Sequence, residues 1–253
     1  MLELNKIYHA DCLDKMGEID DESIDFILCD LPYAETNNDK DIIIPFEPLW
    51  QHYRRIIKPN GCICLFAQGL FYVDLVNSAR DLFRYDLVWD KILSSGFLNA
   101  NRKPLRVHEQ IAVFYKSMPK YNPQMWQGEP LHGKGTNYKK KPVINQNYGE
   151  FEVIDDTRKG STEKYPLTIL SCQKPHPSIA VHRTQKPEAL LEYLIKTYTD
   201  KGDLVLDNCS GSGSTAIACH NTKRNFICIE KDEEYFNLSQ ERVRVARMRK
   251  TLI

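Results

Sequence analysis

No charge of one sign prevails in this sequence, because 34 Lys and Arg stand against 34 Asp and Glu. A chain coated evenly with positive charge for nucleic acid is therefore excluded, and any such surface must be local. Metal-binding spacings are also missing. No Cys-x-x-Cys and no His-x-x-x-His occurs, so no metal site is expected. The eight cysteines are irregularly spaced, which argues against a disulfide framework and for buried free thiols in a reducing compartment. Cys62 and Cys64 are the one close pair, and alternate residues of a strand share a face. No apolar run approaches membrane-spanning length, and the start, Met1 to Lys6, lacks the apolar core of a signal peptide. A cytoplasmic chain with no membrane partner is the expectation.

What is there is segregated. Eleven Asp and Glu face two Lys between Asp11 and Asp41, whereas nine Lys and Arg face two Glu between Arg102 and Lys141. A length of 253 residues suits one large α/β domain or two small ones. Apolar runs at Ser23–Asp30, Cys62–Phe66, Tyr85–Asp90, Ile111–Tyr115, Leu204–Asp207 and Phe226–Glu230 read as buried strands. Between them, helical spacing is expected from Pro48 to Ile57, from Leu70 to Ala79, from Pro187 to Tyr198, and from Ala216 to His220. Strand and helix in alternation predict a mostly parallel sheet with helices on both faces. From Tyr121 to Pro177 the periodicity dissolves into Lys, Asn, Gln, Tyr, Pro and Gly. A structureless loop of that length is improbable in a compact domain, so an insertion, a binding element or a linker is implied. Thr36 to Pro48, polar and then apolar, has the composition of an active-site loop or of a plain surface connection.

Two strand ends carry chemistry. Asp30-Leu31-Pro32-Tyr33 puts an acid, a rigid turn and an aromatic ring after the run Phe26 to Cys29. Carboxyl ends of strands form the ligand crevice of an open α/β sheet, although Asp-x-Pro is also ordinary turn punctuation. The second end is Asp207, followed by Asn208-Cys209-Ser210-Gly211-Ser212-Gly213-Ser214, a helix, and a strand closing on Glu230. Glycines let backbone approach a ligand, and an acid about 20 residues on can accept both hydroxyls of a ribose. Gly211-x-Gly213-x-x-Ala216 also satisfies the dinucleotide fingerprint, which keeps a nicotinamide-dependent oxidoreductase open. A carboxylate at Asp207 would repel a pyrophosphate but suits a cationic amino group.

The set resembles the β-class amino-group DNA methyltransferases. Asp30-Leu31-Pro32-Tyr33 is similar to their Asp-Pro-Pro-Tyr motif, with Leu31 in place of the first proline. Leu206 to Ser214 looks like their Asp-Pro-Phe-x-Gly-Ser-Gly loop, and His182-Arg183-Thr184-Gln185-Lys186-Pro187 is similar to their His-Pro-Thr-Gln-Lys-Pro motif. The order, catalytic motif first and cofactor loop last, is that of the β class. The resemblance implies a doubly wound, Rossmann-like, mostly parallel sheet of seven strands with one antiparallel strand. Residues 1–120 and 178–253 would form the catalytic domain, and 121–177 an inserted target-recognition region.

By the same resemblance, S-adenosylmethionine is the cofactor and duplex DNA the partner. Asp207 would meet the methionine amino group, with Ser210, Gly211 and Gly213 nearby. Glu230 would take the ribose, Thr184 and Lys186 the methionine carboxylate, and the pair Asp11-Cys12 the adenine. The Asp30 carboxylate and the Leu31 carbonyl would accept the two hydrogens of an exocyclic amino group, aiming its lone pair at the methyl group. Because the acceptor at Leu31 is a backbone carbonyl, the missing proline ring does not remove it, and Pro32 still holds Leu31 extended. Tyr33 would stack on a base extruded from the duplex. Aspartate at the first motif position favours adenine N6, whereas serine is usual for cytosine N4, which remains the alternative. A DNA-binding protein that has lost activity is a third reading, disfavoured by the intact Asp30, Pro32 and Tyr33. Family members often pair as homodimers, and some have a companion endonuclease; no residue of this sequence bears on either.

Overall fold

A computed structural model describes residues 2–33, 42–130, 143–145, 149–151, 160–174 and 185–251. In chain order its elements are β1 (Lys6–His9), α1 (Cys12–Met16), β2 (Ile24–Asp30), α2 (Phe46–Ile56), β3 (Ile57–Ala67), α3 (Gly69–Ser78), β4 (Phe83–Ser95) and β5 (Arg106–Phe114). Four short strands follow: β6 (Trp126–Gln127), β7 (Val143–Asn145), β8 (Gly149–Phe151) and β9 (Glu163–Lys164). The chain closes with β10 (Ile169–Ser171), α4 (Glu188–Tyr198), β11 (Leu204–Asp207), α5 (Ser214–Thr222), β12 (Asn225–Glu230) and α6 (Glu233–Thr251).

Residues 1–122 and 167–253 form one compact unit and residues 123–166 another. In the large unit the strand order is β1, β12, β11, β2, β3, β5, β4, β10. Seven strands were expected, and among the described residues eight pair; the eighth is three-residue β10, parallel to β4 and drawn from the stretch without apolar periodicity. Only β5 runs antiparallel to its neighbours, β3 and β4. In the small unit β6 pairs with β9 and β7 with β8, both antiparallel.

Both faces of the sheet are covered at its centre, and β2, β11, β12 and the second half of β3 are near-continuous apolar runs for that reason. Ile27, Cys29, Ile63 and Leu65 turn to one core with Leu49, Tyr53 and Ile56 of α2 and Phe71 and Leu75 of α3. Phe26, Leu28, Cys62, Cys64 and Phe66 turn to the other with Leu190, Leu194 and Ile195 of α4 and Ala216 and Cys219 of α5. Cys62 and Cys64 therefore share a face, as strand alternation requires. Each fully buried Ile, Leu or Phe contributes about 1.5–3 kcal/mol, so these two layers dominate the stability.

α2 starts two residues before the expected Pro48. Pro45 occupies its N-cap and Pro48 lies in the first turn, where a missing N–H costs no intrahelical bond. After β11 the chain crosses to β12 on one side, while after β2 it crosses to β3 on the other. The gap between the carboxyl ends of β11 and β2 is thus the point where the winding reverses and a crevice opens.

Candidate active site

Asp207 and Asp30 end the two strands that flank this crevice. β11 pairs with β2 through Val205 with Phe26 and Leu206 with Ile27, so the two acids are brought to one edge. Leu31 follows with its side chain in the core, which leaves its backbone as the polar group it can offer. Tyr33 packs its ring 4.9 Å from that of Phe71 and donates its hydroxyl to Asp30 Oδ1 at 2.6 Å. Burial, with the Asp30 and Glu109 carboxylates nearby, pushes that hydroxyl well above its usual pKa and keeps it a donor.

The glycine turn after β11 is built from backbone. Gly211 and Gly213 both adopt positive φ, +49° and +79°. A Cβ on Gly213 would come within 2.9 Å of Ser239 Cβ, whereas one on Gly211 would meet nothing within 4 Å. Gly211 N–H donates to Glu230 Oε2 at 2.7 Å and Asp232 N–H to Glu230 Oε1 at 2.8 Å, which fixes the acid beside the turn. Burial raises the Glu230 carboxyl, against the pull of these two amides. Burial also raises Asp207, to about 6, opposed by the Thr215 hydroxyl and by Cys209 N–H, which donates to Asp207 Oδ1 at 3.1 Å. Among the described residues no lysine or arginine pairs with either acid. Ser210 Oγ is buried without a hydrogen-bond partner.

Asp11 and Cys12 arrive at the same place from β1. Asp11 caps α1 by accepting from Leu13 N–H at 2.9 Å and pairs with Lys231, the residue after Glu230, at 2.9 Å. Cys12 lies against Cys209 and Asn208, and Cys29 also reaches Cys209. The Tyr53 hydroxyl donates to Asn208 Oδ1 at 2.5 Å and ties α2 to the turn. Among the described residues, no group of three His, Cys, Asp or Glu is arranged to hold a metal. Thr184 lies outside the described residues, as do His182 and Arg183.

Lys186, expected to meet a ligand carboxylate, has carboxylates of the chain itself as its partners. Its ammonium donates to Asp30 Oδ2 at 2.5 Å and lies 3.3 Å from Glu109 Oε2. Lys91 bonds the other Glu109 oxygen at 2.7 Å. Burial would lower the Lys186 pKa, but Asp30 and Glu109 hold it above its usual value. Burial would likewise raise Glu109, but Lys186 and Lys91 keep it below the usual carboxylate range. Glu109 and Lys91 had no signal in the sequence beyond being charges next to strand-like runs. Arg242 donates to Ser212 O at 2.5 Å and to Glu188 at 2.8 Å, clasping the glycine turn to α4.

The β4–β5 connection leaves the same carboxyl edge, since β4 runs parallel to β3. It carries Arg102 and Lys103, Arg106 opens β5, and no acid occurs from Lys91 to His108. Phe97 and Leu98 at its tip are 80% and 98% exposed. Among the described residues no helix is long and apolar enough to cross a membrane.

Comparison with known proteins agrees with this geometry. A family described as DNA methylase matches residues 24–241. Type II methyltransferase M.HpaI of Haemophilus parainfluenzae is 26% identical, covering 92% of this chain and 72% of that protein. Type II methyltransferase M.HinfI of Haemophilus influenzae is 26% identical over 95% of this chain and 68% of its own length. Among solved structures, the M1.HpyAVI–SAM complex superposes with a TM-score of 0.61 at 24% identity, covering 94% of this chain and 98% of that one. PvuII DNA methyltransferase, described as cytosine-N4-specific, gives 0.67 at 17% identity over 94% and 85%. The family match spans most of the sequence, and both strand ends of the crevice lie within it: this chain belongs to the DNA methylase family, the methyltransferases that act on the amino groups of adenine N6 or cytosine N4.

Proposed function

We propose that this DNA methyltransferase methylates adenine at N6 in a defined duplex sequence, with the base extruded into the crevice between β2 and β11. The observation that carries the reading is Asp30 at the end of β2, beside Asp207 at the end of the neighbouring strand. The methyl donor is S-adenosylmethionine, and the residues present fit it. Asp207, buried and unpaired with any described cation, suits an ammonium; Glu230, pinned by two amides, suits a ribose diol; Ser210 Oγ is buried and lacks a partner. Bound there, the donor supplies an electrophilic methyl group.

The chain's own residues do the rest. An exocyclic amino nitrogen is a poor nucleophile because its lone pair is delocalised into the base. Asp30 and the Leu31 carbonyl would accept its two hydrogens and favour the sp3 geometry that frees the lone pair. Tyr33 would give the extruded base a stacking surface. No covalent enzyme intermediate is needed, and catalysis is positioning plus electrostatics. The cationic β4–β5 connection suits phosphate, and residues 121–177 are proposed to read the target sequence. A homodimer and a companion endonuclease are proposed on the family resemblance alone.

Mass analysis of nucleosides from DNA treated with the enzyme and labelled donor tests the base. N6-methyladenine is expected, and N4-methylcytosine without it would overturn the choice. Sequencing the methylated DNA would give the site.

A further inference from the structure

Four charged side chains meet at the catalytic edge: Asp30, Lys186, Glu109 and Lys91, two acids and two lysines with no net charge. Lys186 and Lys91 are 9% and 7% exposed, so each depends on its carboxylates for solvation. Both oxygens of Asp30 are engaged, one by Tyr33 and one by Lys186. An amino group that is to donate to Asp30 must compete with one of them. Glu109 is held through Oε1 by Lys91, and its Oε2 is buried without a hydrogen bond, 3.3 Å from the Lys186 ammonium. That oxygen is close enough to feel the charge but not aligned as an acceptor. Ion-paired but not hydrogen-bonded, this buried oxygen has an acceptor position still to fill. The rings of Phe66 and Trp89, 5.0 and 5.9 Å from Lys186 Nζ, flank the ammonium.

We propose that Glu109 is a positioning residue that gives Lys186 a second resting place. When the target amino group takes Asp30, Lys186 completes a hydrogen bond to Glu109 Oε2, and the cluster stays neutral. Lys91 keeps Glu109 from following. No bond is made or broken in this shift; it exchanges hydrogen bonds. The inference rests on the proposed role of Asp30.

The experiment is a double-mutant cycle on the full chain with Glu109→Gln, Lys186→Met and both together. The readouts are single-turnover methyl transfer at saturating donor and DNA, affinity for each, and melting temperature. Glu109→Gln is expected to slow transfer by about tenfold or more while both affinities stay within about threefold. The double variant should be no slower than Lys186→Met alone, since Glu109 acts only through the lysine. Glu109→Asp, which keeps the charge, should recover part of the rate and guards against a folding failure of the amide variant. Multiplying rate losses in the double variant, or a loss that follows melting temperature alone, would overturn the proposal. A wild-type enzyme that transfers no methyl group to DNA would instead overturn the functional reading beneath it.

Discussion

The two sides of the crevice hold their acids in opposite ways. On the β11–β12 side, Asp207 and Glu230 are fixed by amide and hydroxyl groups of their own turns, and among the described residues no cation neutralises them. On the β2–β5 side, Asp30 and Glu109 are each matched to a buried lysine. Backbone donors orient a carboxylate without cancelling its charge, which is the condition for capturing a cationic ligand. Lysine partners cancel the charge but can be exchanged, which is the condition for a group that must receive a neutral amine. One edge thus offers a standing charge, and the other a balanced set of acids and bases.

The comparison predicts where substitutions act. Asp30→Ala has the largest expected effect, a loss of about a hundred- to a thousandfold in transfer of labelled methyl groups to DNA, the scale of removing one oriented polar group from a reaction centre. Glu109→Ala should destabilise the fold by about 3–5 kcal/mol at neutral pH, because it strands the buried Lys91 and leaves Lys186 with Asp30 alone; thermal or urea unfolding measures it. Glu109 has a folded pKa lowered from about 4.5, so its stabilisation is complete above that value and is lost as pH falls through the lower folded one. The gap between wild type and variant should therefore narrow in acid.

Asp207 has the opposite sign. Its folded pKa is raised to about 6, so the carboxylate that would bind an ammonium exists mainly above that pH. Donor affinity should fall by about tenfold per unit once pH drops well below 6, and Asp207→Asn should flatten the profile at a weak level. An unchanged wild-type profile would break the contrast between the two sides. The smallest effects concern the turn itself. Gly213→Ala, with a positive φ and Ser239 at 2.9 Å, should cost about 1–3 kcal/mol in unfolding experiments. At Gly211, where only the positive φ resists, about 1 kcal/mol is expected.

The arrangement of the β11–β12 side was legible in the sequence because it is local. Asp207, the glycines and Glu230 lie on one strand-turn-helix-strand unit, and their spacing declares the geometry. Asp30 was legible because a strand ends there and a Pro-Tyr turn follows. Glu109 and Lys91 were not, since they come from strands paired 18 residues apart and reach Asp30 only through Lys186, 156 residues from it. The sheet's eighth strand was missed for a related reason. Ile169–Ser171 has no periodicity of its own and becomes a strand by pairing with β4.

The most direct test of the division between the two sides is calorimetric titration of S-adenosylmethionine into wild type, Asp30→Asn and Asp207→Asn at pH 7.5 or above, without DNA. Asp30→Asn should keep donor affinity within about threefold of wild type, while Asp207→Asn should lose about tenfold or more, the scale of one charge-assisted hydrogen bond. Donor binding that is lost with Asp30 and retained without Asp207 would contradict the account.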